Sequence, residues 1–427
     1  MTPLYREFKG ASEANTGTHL IGFADDTNIL AYGKSTEECA LALERAFIIV
    51  NNWASARGLS FNAQKSELIH FSRSRRPPTT SYNLEGQCVK PTKAARFLGI
   101  WLDRRLRWIS HADALKKKLT TQTYALSRLS ATTWGCQVNR ARQLYTAIIR
   151  SIIAYGAGIW HQPDFSKDPK PKGLAAKLAT TQSKVLRVIL GAYRDTPVRS
   201  LETSAFIPPL DLYLTARKAA FEKRLLDSGM AAYIQAAAQG VRNTLRKRRP
   251  RRDHRQPPLP PPQEWQEAPG KTLLLRWKER WFSTLAIATA KGRRIQPADY
   301  PHWNKQRALA LYSNLTKADA AILTQLRTGK IDLGAFLFQK NLRLTPSCTF
   351  CNTSADETPH HLITTCSHLS EARQILAMDL DIDISTLDQH QLDQALQDPP
   401  KAKKIARWFR RQKLIPFYQL SNELEPG

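Results

Sequence analysis

Hydrophobic and polar positions along the chain change period several times, and each change marks an element. Residues 18–24 and 27–32 are two short apolar runs on either side of an Asp25-Asp26 pair, which predicts a β-hairpin. Ser35, with Glu38 three residues on, predicts a capped helix start. Cys39, Leu43, Ala46, Phe47, Val50 and Trp53 then recur at helical spacing, with Gly58 as the stop. Residues 58–72 read as a loop and a strand, and 93–108 as a second short strand pair or turn. From His111 to about Gly240 the period is helical. Leu115, Leu119, Leu126 and Leu129 share one face, and Leu144, Ile148, Ile149, Ile152 and Tyr155 form a second stripe. A third helix is expected over 174–191, ended by Gly191. Residues 241–270 pass from a basic run into a proline run that cannot hold a helix, and predict a linker. Residues 271–345 turn helical again, with Trp277, Trp281 and Trp303 as candidate core. A Cys/His module spans 346–370 and a charged tail is expected over 371–427.

Composition adds a partner class. Lys and Arg number 64 against 36 acidic residues, a net charge of +28, with 42% hydrophobic residues to build cores. A surplus of this size points to a polyanion, most simply nucleic acid. Lys116, Lys117 and Lys118 lie off the apolar face of their helix, and Arg246, Lys247, Arg248, Arg249, Arg251 and Arg252 form a cluster that suits either phosphates or nuclear import. Six cysteines in 427 residues make no disulfide scaffold, and no apolar run of about 18 residues predicts a membrane span. An intracellular protein, with the nucleus favoured, is the expectation. At 427 residues, two to four units are expected.

Two stretches carry chemistry. A carboxylate pair at a strand turn suits a divalent cation such as Mg²⁺, although Asp is also a common turn residue. Cys348 and Cys351 form a C-x₂-C pair, His361 follows after nine residues and Cys366 after four more. Two thiolates on one tight turn, with a His and a Cys returning to it, can complete a tetrahedron around Zn²⁺. A redox pair would need a βαβ context the pattern lacks, and free thiols would leave the His and the third Cys unexplained. His360 and His368 stay open as alternatives to His361.

The "FADD" hairpin resembles the signature of reverse transcriptases. "GLSFNAQKSELIHF", "FLGIWLDRRLRWISH", "TTQSKVLRVILGAYRDTP", "LTQLRTGKIDLGAFLFQKNLR" and "CTFCN…ETPHHLITTC" follow in the order of the palm, primer grip, thumb and carboxy-terminal region of LINE-type, non-LTR retrotransposon enzymes. The resemblance implies an α+β fold: a palm remnant with its primer grip over 1–109, a helical thumb-like region over 110–240, the linker, a further helical region and a CCHC zinc knuckle. It implies Asp25 as a direct Mg²⁺ ligand with Asp26 assisting, and Phe23 and Ala24 shaping the approach of the primer end. Phe97, Leu98 and Gly99 would lie at the primer grip. Lys65 falls where the family can supply a proton to pyrophosphate, and reads equally as a solvated lysine. Asp103 is expected to cap or pair with an arginine. The resemblance places the zinc histidine five positions before the last cysteine, which selects His361.

In that family a metal-binding Asp lies on an earlier strand, and only 24 residues precede Asp25, with Glu7 and Glu13 among them but no strand-borne Asp. The fingers and the nucleotide-gripping motif are absent, and no carboxylate constellation supports an RNase H domain at the linker. The expectation is therefore the carboxy-terminal part of such an enzyme, inactive alone, with RNA template, DNA primer or target, and a missing amino-terminal part as partners. The alternative is a non-catalytic nucleic-acid-binding protein that uses basic helices and the zinc module.

Overall fold

The computed structural model describes residues 4–8, 17–72, 74–84, 86–165, 171, 173–236, 262–351, 353–415 and 418. The chain divides into two units, Met1–Leu115 and Lys116–Gly427. It is mostly helical, and the strands described form three two-stranded antiparallel hairpins.

In the first unit, Thr18–Phe23 pairs with Asp26–Ala31 in the register Leu20↔Ile29 and Phe23↔Asp26. Strand alternation turns Leu20 and Ile29 together onto a cluster of Leu4, Phe8, Ala46, Val50, Trp53 and Ala54. Most of that cluster lies on the Thr36–Ser55 helix. Ser35 Oγ accepts the Glu38 N–H at 3.1 Å, while the Glu38 carboxylate accepts the Lys34 N–H at 2.7 Å, one residue before the position of a regular capping box. Gly58, at φ 72°, follows the last turn as expected. The strand expected within 58–72 is not formed. Those residues make a short turn at Ala63–Lys65 and a single bridge from Leu68 to Pro91, whose missing N–H cannot extend a ladder. A hairpin not foreseen joins Tyr82–Leu84 to Gln87–Val89.

In the second unit, the Gly173–Leu190 helix buries Leu178, Val185, Leu186 and Ile189. Gly191 ends it at φ 63°, where a Cβ would stand 2.3 Å from that of Ala321. Of the stripe expected at Leu144, Ile148, Ile149, Ile152 and Tyr155, Ile149 is buried, Leu144 and Ile152 are half-buried and Ile148 and Tyr155 are exposed, so the stripe is displaced onto Tyr145, Ile149 and Ile153. A π turn at Tyr145–Ile149 is the cause, because its wider turn delays the rotation by about one residue and keeps the 145, 149, 153 series on one side. Leu129, at the end of the Ile109–Leu129 helix, is exposed although Leu115, Leu119 and Leu126 are buried.

The Lys317–Thr328 helix is buried at every position and forms the axis of this unit. Each of its polar residues has at least one partner, although Gln325 Oε1 and Arg327 Nε are left without one among the described residues. Lys317 Nζ donates to the Val188 and Ile189 carbonyls at the end of the Gly173–Leu190 helix, and burial pushes its pKa down to about 8. Asp319 pairs with Arg410 at 2.8 Å. Trp277 and Trp281 are buried and Trp303 packs edge-on against both, at 5.4 and 5.9 Å.

The segments expected as linker and charged tail contain helices. The end of the expected linker is folded: Gln263–Glu267 is a helical turn that seats Trp265 against Ala216 and Ala219, and Pro269 opens the Pro269–Ala290 helix at its first turn, where proline fits. The remainder of that linker lies outside the described residues. The expected charged tail is also folded. Ser370–Leu380, Gln389–Ala395 and Pro399–Arg411 are helices with Leu376, Leu380, Leu392, Ile405 and Phe409 buried. No helix among the described residues is long and apolar enough to cross a membrane.

Candidate functional site

The first candidate is the turn of the first hairpin. Phe23 and Asp26 close the ladder, so Ala24 and Asp25 form a two-residue loop, with Ala24 in the left-handed region at φ 53°. Phe23, Ala24, Asp25 and Asp26 are all exposed. The loop thus holds two adjacent carboxylates in solvent on a short, register-fixed ladder. Among the described residues no third His, Cys, Asp or Glu joins them. Lys65 is exposed at the end of its own turn, where its N–H donates to the Asn62 carbonyl.

Phe97, Leu98 and Gly99 come together at the turn of another hairpin, Ala94–Phe97 with Ile100–Asp103. Leu98 at φ 45° and Gly99 at φ 82° have the two successive positive angles of a type I′ turn, which glycine adopts without strain. Asp103 is a cap: its carboxylate accepts the N–H groups of Arg105, Arg107 and Ile109 at 3.0–3.2 Å, at the start of the Ile109–Leu129 helix. Lys116, Lys117 and Lys118 project from that helix and are exposed. Arg246, Lys247, Arg248, Arg249, Arg251 and Arg252 lie outside the described residues.

The second candidate is the Cys/His module, where geometry is decisive. The ligand atoms of Cys348, Cys351, His361 and Cys366 all lie within 4.8 Å of one another. Cys348 Sγ is 4.0 Å from Cys366 Sγ, and Cys351 Sγ is 3.3 Å from His361 Nε2. A tetrahedron with metal–sulfur bonds near 2.3 Å and metal–nitrogen bonds near 2.05 Å has edges of about 3.5–3.8 Å, so these four groups can hold a metal with little movement. The other histidines are engaged elsewhere: His360 Nε2 meets the Leu387 carbonyl at 3.0 Å, and His368 stacks on Phe350. His361 Nδ1 meets the Thr365 hydroxyl at 2.8 Å, which orients the ring.

Local sequence explains the assembly. Cys348 N–H donates to the Ala355 carbonyl and Glu357 N–H to the Pro346 carbonyl, so the C-x₂-C turn closes a short antiparallel bridge. Thr358 caps the Pro359–Thr364 helix and Pro359 takes its first position, which brings His361 into the first turn facing the thiols. Hydrogen bonds from Thr353, then from His361 and Cys348, hold the Cys351 thiol down at about 6, whereas burial and the neighbouring Cys348 push the Cys366 thiol up.

One residue that the motif spacing does not reveal is Glu357. Its buried carboxylate accepts the Gly334 N–H at 2.9 Å, the Thr349 N–H at 3.0 Å, the Thr349 hydroxyl at 2.9 Å and Arg343 at 3.2 Å. Burial alone would raise its pKa, but these bonds outweigh it and hold the carboxyl below its ordinary range. A glutamate in a Cys/His loop looks like any surface acid in sequence; only its fourfold acceptance sets it apart.

No family model matches the chain, and no solved structure matches it. Curated proteins do. A putative 115 kDa protein in type-1 retrotransposable element R1DM of Drosophila melanogaster is 24% identical over 194 residues, 45% of this chain and 18% of that protein. The RNA-directed DNA polymerase from mobile element jockey of the same species is 27% identical over 197 residues, 44% of this chain and 20% of that protein. A retrovirus-related Pol polyprotein from type-1 retrotransposable element R1 3 of Nasonia vitripennis is 20% identical over 349 residues, 80% of this chain and 83% of that protein. The chain spans about a fifth of the length of the first two. By these matches, at low identity and over part of their length, the homologues of this chain are the RNA-directed DNA polymerases of LINE-type, non-LTR retrotransposons.

Proposed function

We propose that the chain is the carboxy-terminal part of a reverse transcriptase of a non-LTR retrotransposon, a remnant of the palm followed by primer-grip, thumb-like and zinc-knuckle regions. It engages RNA template and DNA primer or target but does not copy alone. The observation that carries this reading is the relationship over 349 residues to a retrotransposon polyprotein, with "FADD" falling on the turn of a two-residue hairpin.

Asp25, with Asp26 assisting, would hold Mg²⁺, which when bound supplies charge neutralisation at the phosphoryl oxygens and activation of the primer 3′-hydroxyl. The short ladder under Asp25 fixes where its carboxylate can reach. Phe23, exposed beside it, offers a face to the primer end, and Gly99 lets backbone approach the strand at the second turn. Lys65 would carry the proton to pyrophosphate. Two neighbouring carboxylates are a thin ligand set among the described residues, and a missing ligand costs several kcal/mol of barrier, on the order of 2.7–4 by analogy with the loss of one preorganised donor. This is the reason for expecting no copying by the chain alone.

At the Cys/His module, Cys348, Cys351, His361 and Cys366 would hold Zn²⁺. Four protein ligands leave no open position, so the site is structural, and its role is to shape a surface that grips nucleic acid. The chain would reside in the nucleus, which the partner class and the basic cluster at 246–252, suited to phosphates and nuclear import alike, support.

The test is extension of a DNA primer on an RNA template by the purified chain. Binding without extension is expected. Mg²⁺-dependent extension that Asp25→Ala abolishes would contradict the incomplete centre, and absence of any affinity for the hybrid would contradict the reading as a whole.

A further inference from the structure

The Pro399–Arg411 helix carries Lys401, Lys403, Lys404, Arg407, Arg410 and Arg411 and no acid. At about 100° per residue these do not scatter. Ala402, Ile405, Ala406, Trp408 and Phe409 fill one side and are buried. Arg410, at the margin, is neutralised by Asp319. Lys403, Lys404, Arg407 and Arg411 fall together within about 100° on the opposite side, rising about 6 Å at each four-residue step from 403 to 407 to 411.

None of these four has a carboxylate partner among the described residues. Three of them are steadied by neutral acceptors instead. Lys403 Nζ donates to Ser313 Oγ at 2.8 Å, Arg407 to the Asn314 carbonyl at 2.8 Å and Lys404 to the Asp379 carbonyl. Burial and the neighbouring Arg407 charge push the Lys403 pKa down, so the cations repel one another as they stand. Such a row is ordered, like-charged and uncompensated, which is the electrostatic state an anion relieves.

The row is also tied to the metal module. Trp408 Nε1 donates to the Ala372 carbonyl at 2.9 Å, and Arg373 of the same Ser370–Leu380 helix donates to the carbonyl of Cys366. A ligand on the row is therefore held by the body that carries the Cys/His site.

We propose that Lys403, Lys404, Arg407 and Arg411 form a phosphate-binding comb for the backbone of a nucleic acid, beside the metal module. The proposal rests on the functional reading above and names a surface for the partner. Three arguments select nucleic acid. The four-residue rise matches a ligand with regularly repeated single charges along a strand. The homologues are RNA-directed DNA polymerases. A membrane is disfavoured because the apolar face that an interfacial helix must insert is already committed to the core.

The test is fluorescence anisotropy of a labelled RNA–DNA hybrid against the full chain at several salt concentrations. The variant Lys403→Gln/Lys404→Gln/Arg407→Gln/Arg411→Gln should lose at least about tenfold in affinity at low salt. Its log–log salt slope should flatten by about 3, since each phosphate contact contributes roughly 0.7–0.9. The charge-keeping variant Lys403→Arg/Lys404→Arg/Arg407→Lys/Arg411→Lys should bind like wild type. Arg411→Gln alone, at an exposed site, should flatten the slope by roughly 0.7–0.9 and covers the case in which the fourfold variant unfolds. Folded glutamine variants with unchanged affinity and slope would overturn the comb while wild-type binding upholds the functional reading. Failure of wild type to bind the hybrid would overturn that reading instead. Loss of binding to anionic phosphatidylserine vesicles with hybrid binding intact would reassign the row to a membrane and overturn the proposal.

Discussion

Replacing Glu357 with Gln keeps the size of the side chain and removes one acceptor and the charge. The four bonds that its carboxylate accepts fix Gly334, Arg343 and both donors of Thr349, the residue next to Cys348. With the amide oxygen in the position of Oε2, the two Thr349 bonds become neutral and the Arg343 bond keeps its charge on the donor alone, a loss of about 1 kcal/mol each. The amide NH₂ then faces the Gly334 N–H, and that buried donor is left unsatisfied at a cost of about 1–3 kcal/mol. The sum is about 4–6 kcal/mol gross, which local relaxation should reduce to about 3–5. Because Thr349 sets the C-x₂-C turn, zinc affinity should fall 10–100-fold, as it does when a partner behind a metal ligand is lost, or about 1.4–2.8 kcal/mol. Urea unfolding gives the first quantity, and zinc competition with a chromophoric chelator the second. The folded carboxyl lies below its ordinary 4.5, so its contribution is present above that pH and is lost as pH falls through the lower folded value. The gap between wild type and Glu357→Gln should therefore close in acid. A variant that loses stability but keeps wild-type zinc affinity would refute Glu357 as the residue that positions the turn.

Cys351→Ser should abolish one equivalent of tightly bound zinc and the thiolate-to-cobalt charge-transfer band of the cobalt-substituted chain; retention of both with an unchanged fold would sink the ligand assignment. His161 is buried beside Lys218, and burial first, then that charge, lowers its pKa to about 4 from 6.5. The unfolded chain binds the extra proton between those values, so wild-type stability should rise by up to about 3 kcal/mol from pH 4 to 6.5, and a His161→Gln variant should lack that slope in urea titrations. Gly191→Ala combines a left-handed backbone with a contact on Ala321 and should cost about 2–4 kcal/mol by the same method; a loss under 1 kcal/mol would mean that the helix junction yields.

Where local chemistry decides, the sequence was legible. The first hairpin, though its turn falls on Ala24-Asp25 and not on the Asp25-Asp26 pair, the Ser35 cap and the Gly191 stop each depend on residues within a few positions of one another, and so does the Cys348, Cys351, His361, Cys366 spacing. The phase error at Leu144–Tyr155 arose because a π turn is invisible to a fixed 3.6-residue period. The Lys317–Thr328 helix conceals its central place because Lys317, Asp319, Gln325 and Arg327 look solvent-facing until distant carbonyls, Arg410 and Tyr418 are in place to partner them. The same holds for 371–411. Its abundant charge reads as a tail, while the sparse apolar set Leu376, Leu380, Leu392, Ile405 and Phe409 suffices to dock three helices. Glu357 was hidden for the same reason, since all its donors except Thr349 lie 14 or more residues away.

The measurement that bears most directly on the central claim is the salt dependence of hybrid binding by the wild-type chain, with nucleotides and Mg²⁺ present so that extension is read in the same tube. The account predicts affinity that falls by about a thousandfold or more between roughly 50 and 200 mM salt, as six or more phosphate contacts require, with the primer left unextended. Affinity flat across that range, or a primer extended by wild type and not by Asp25→Ala, would contradict it.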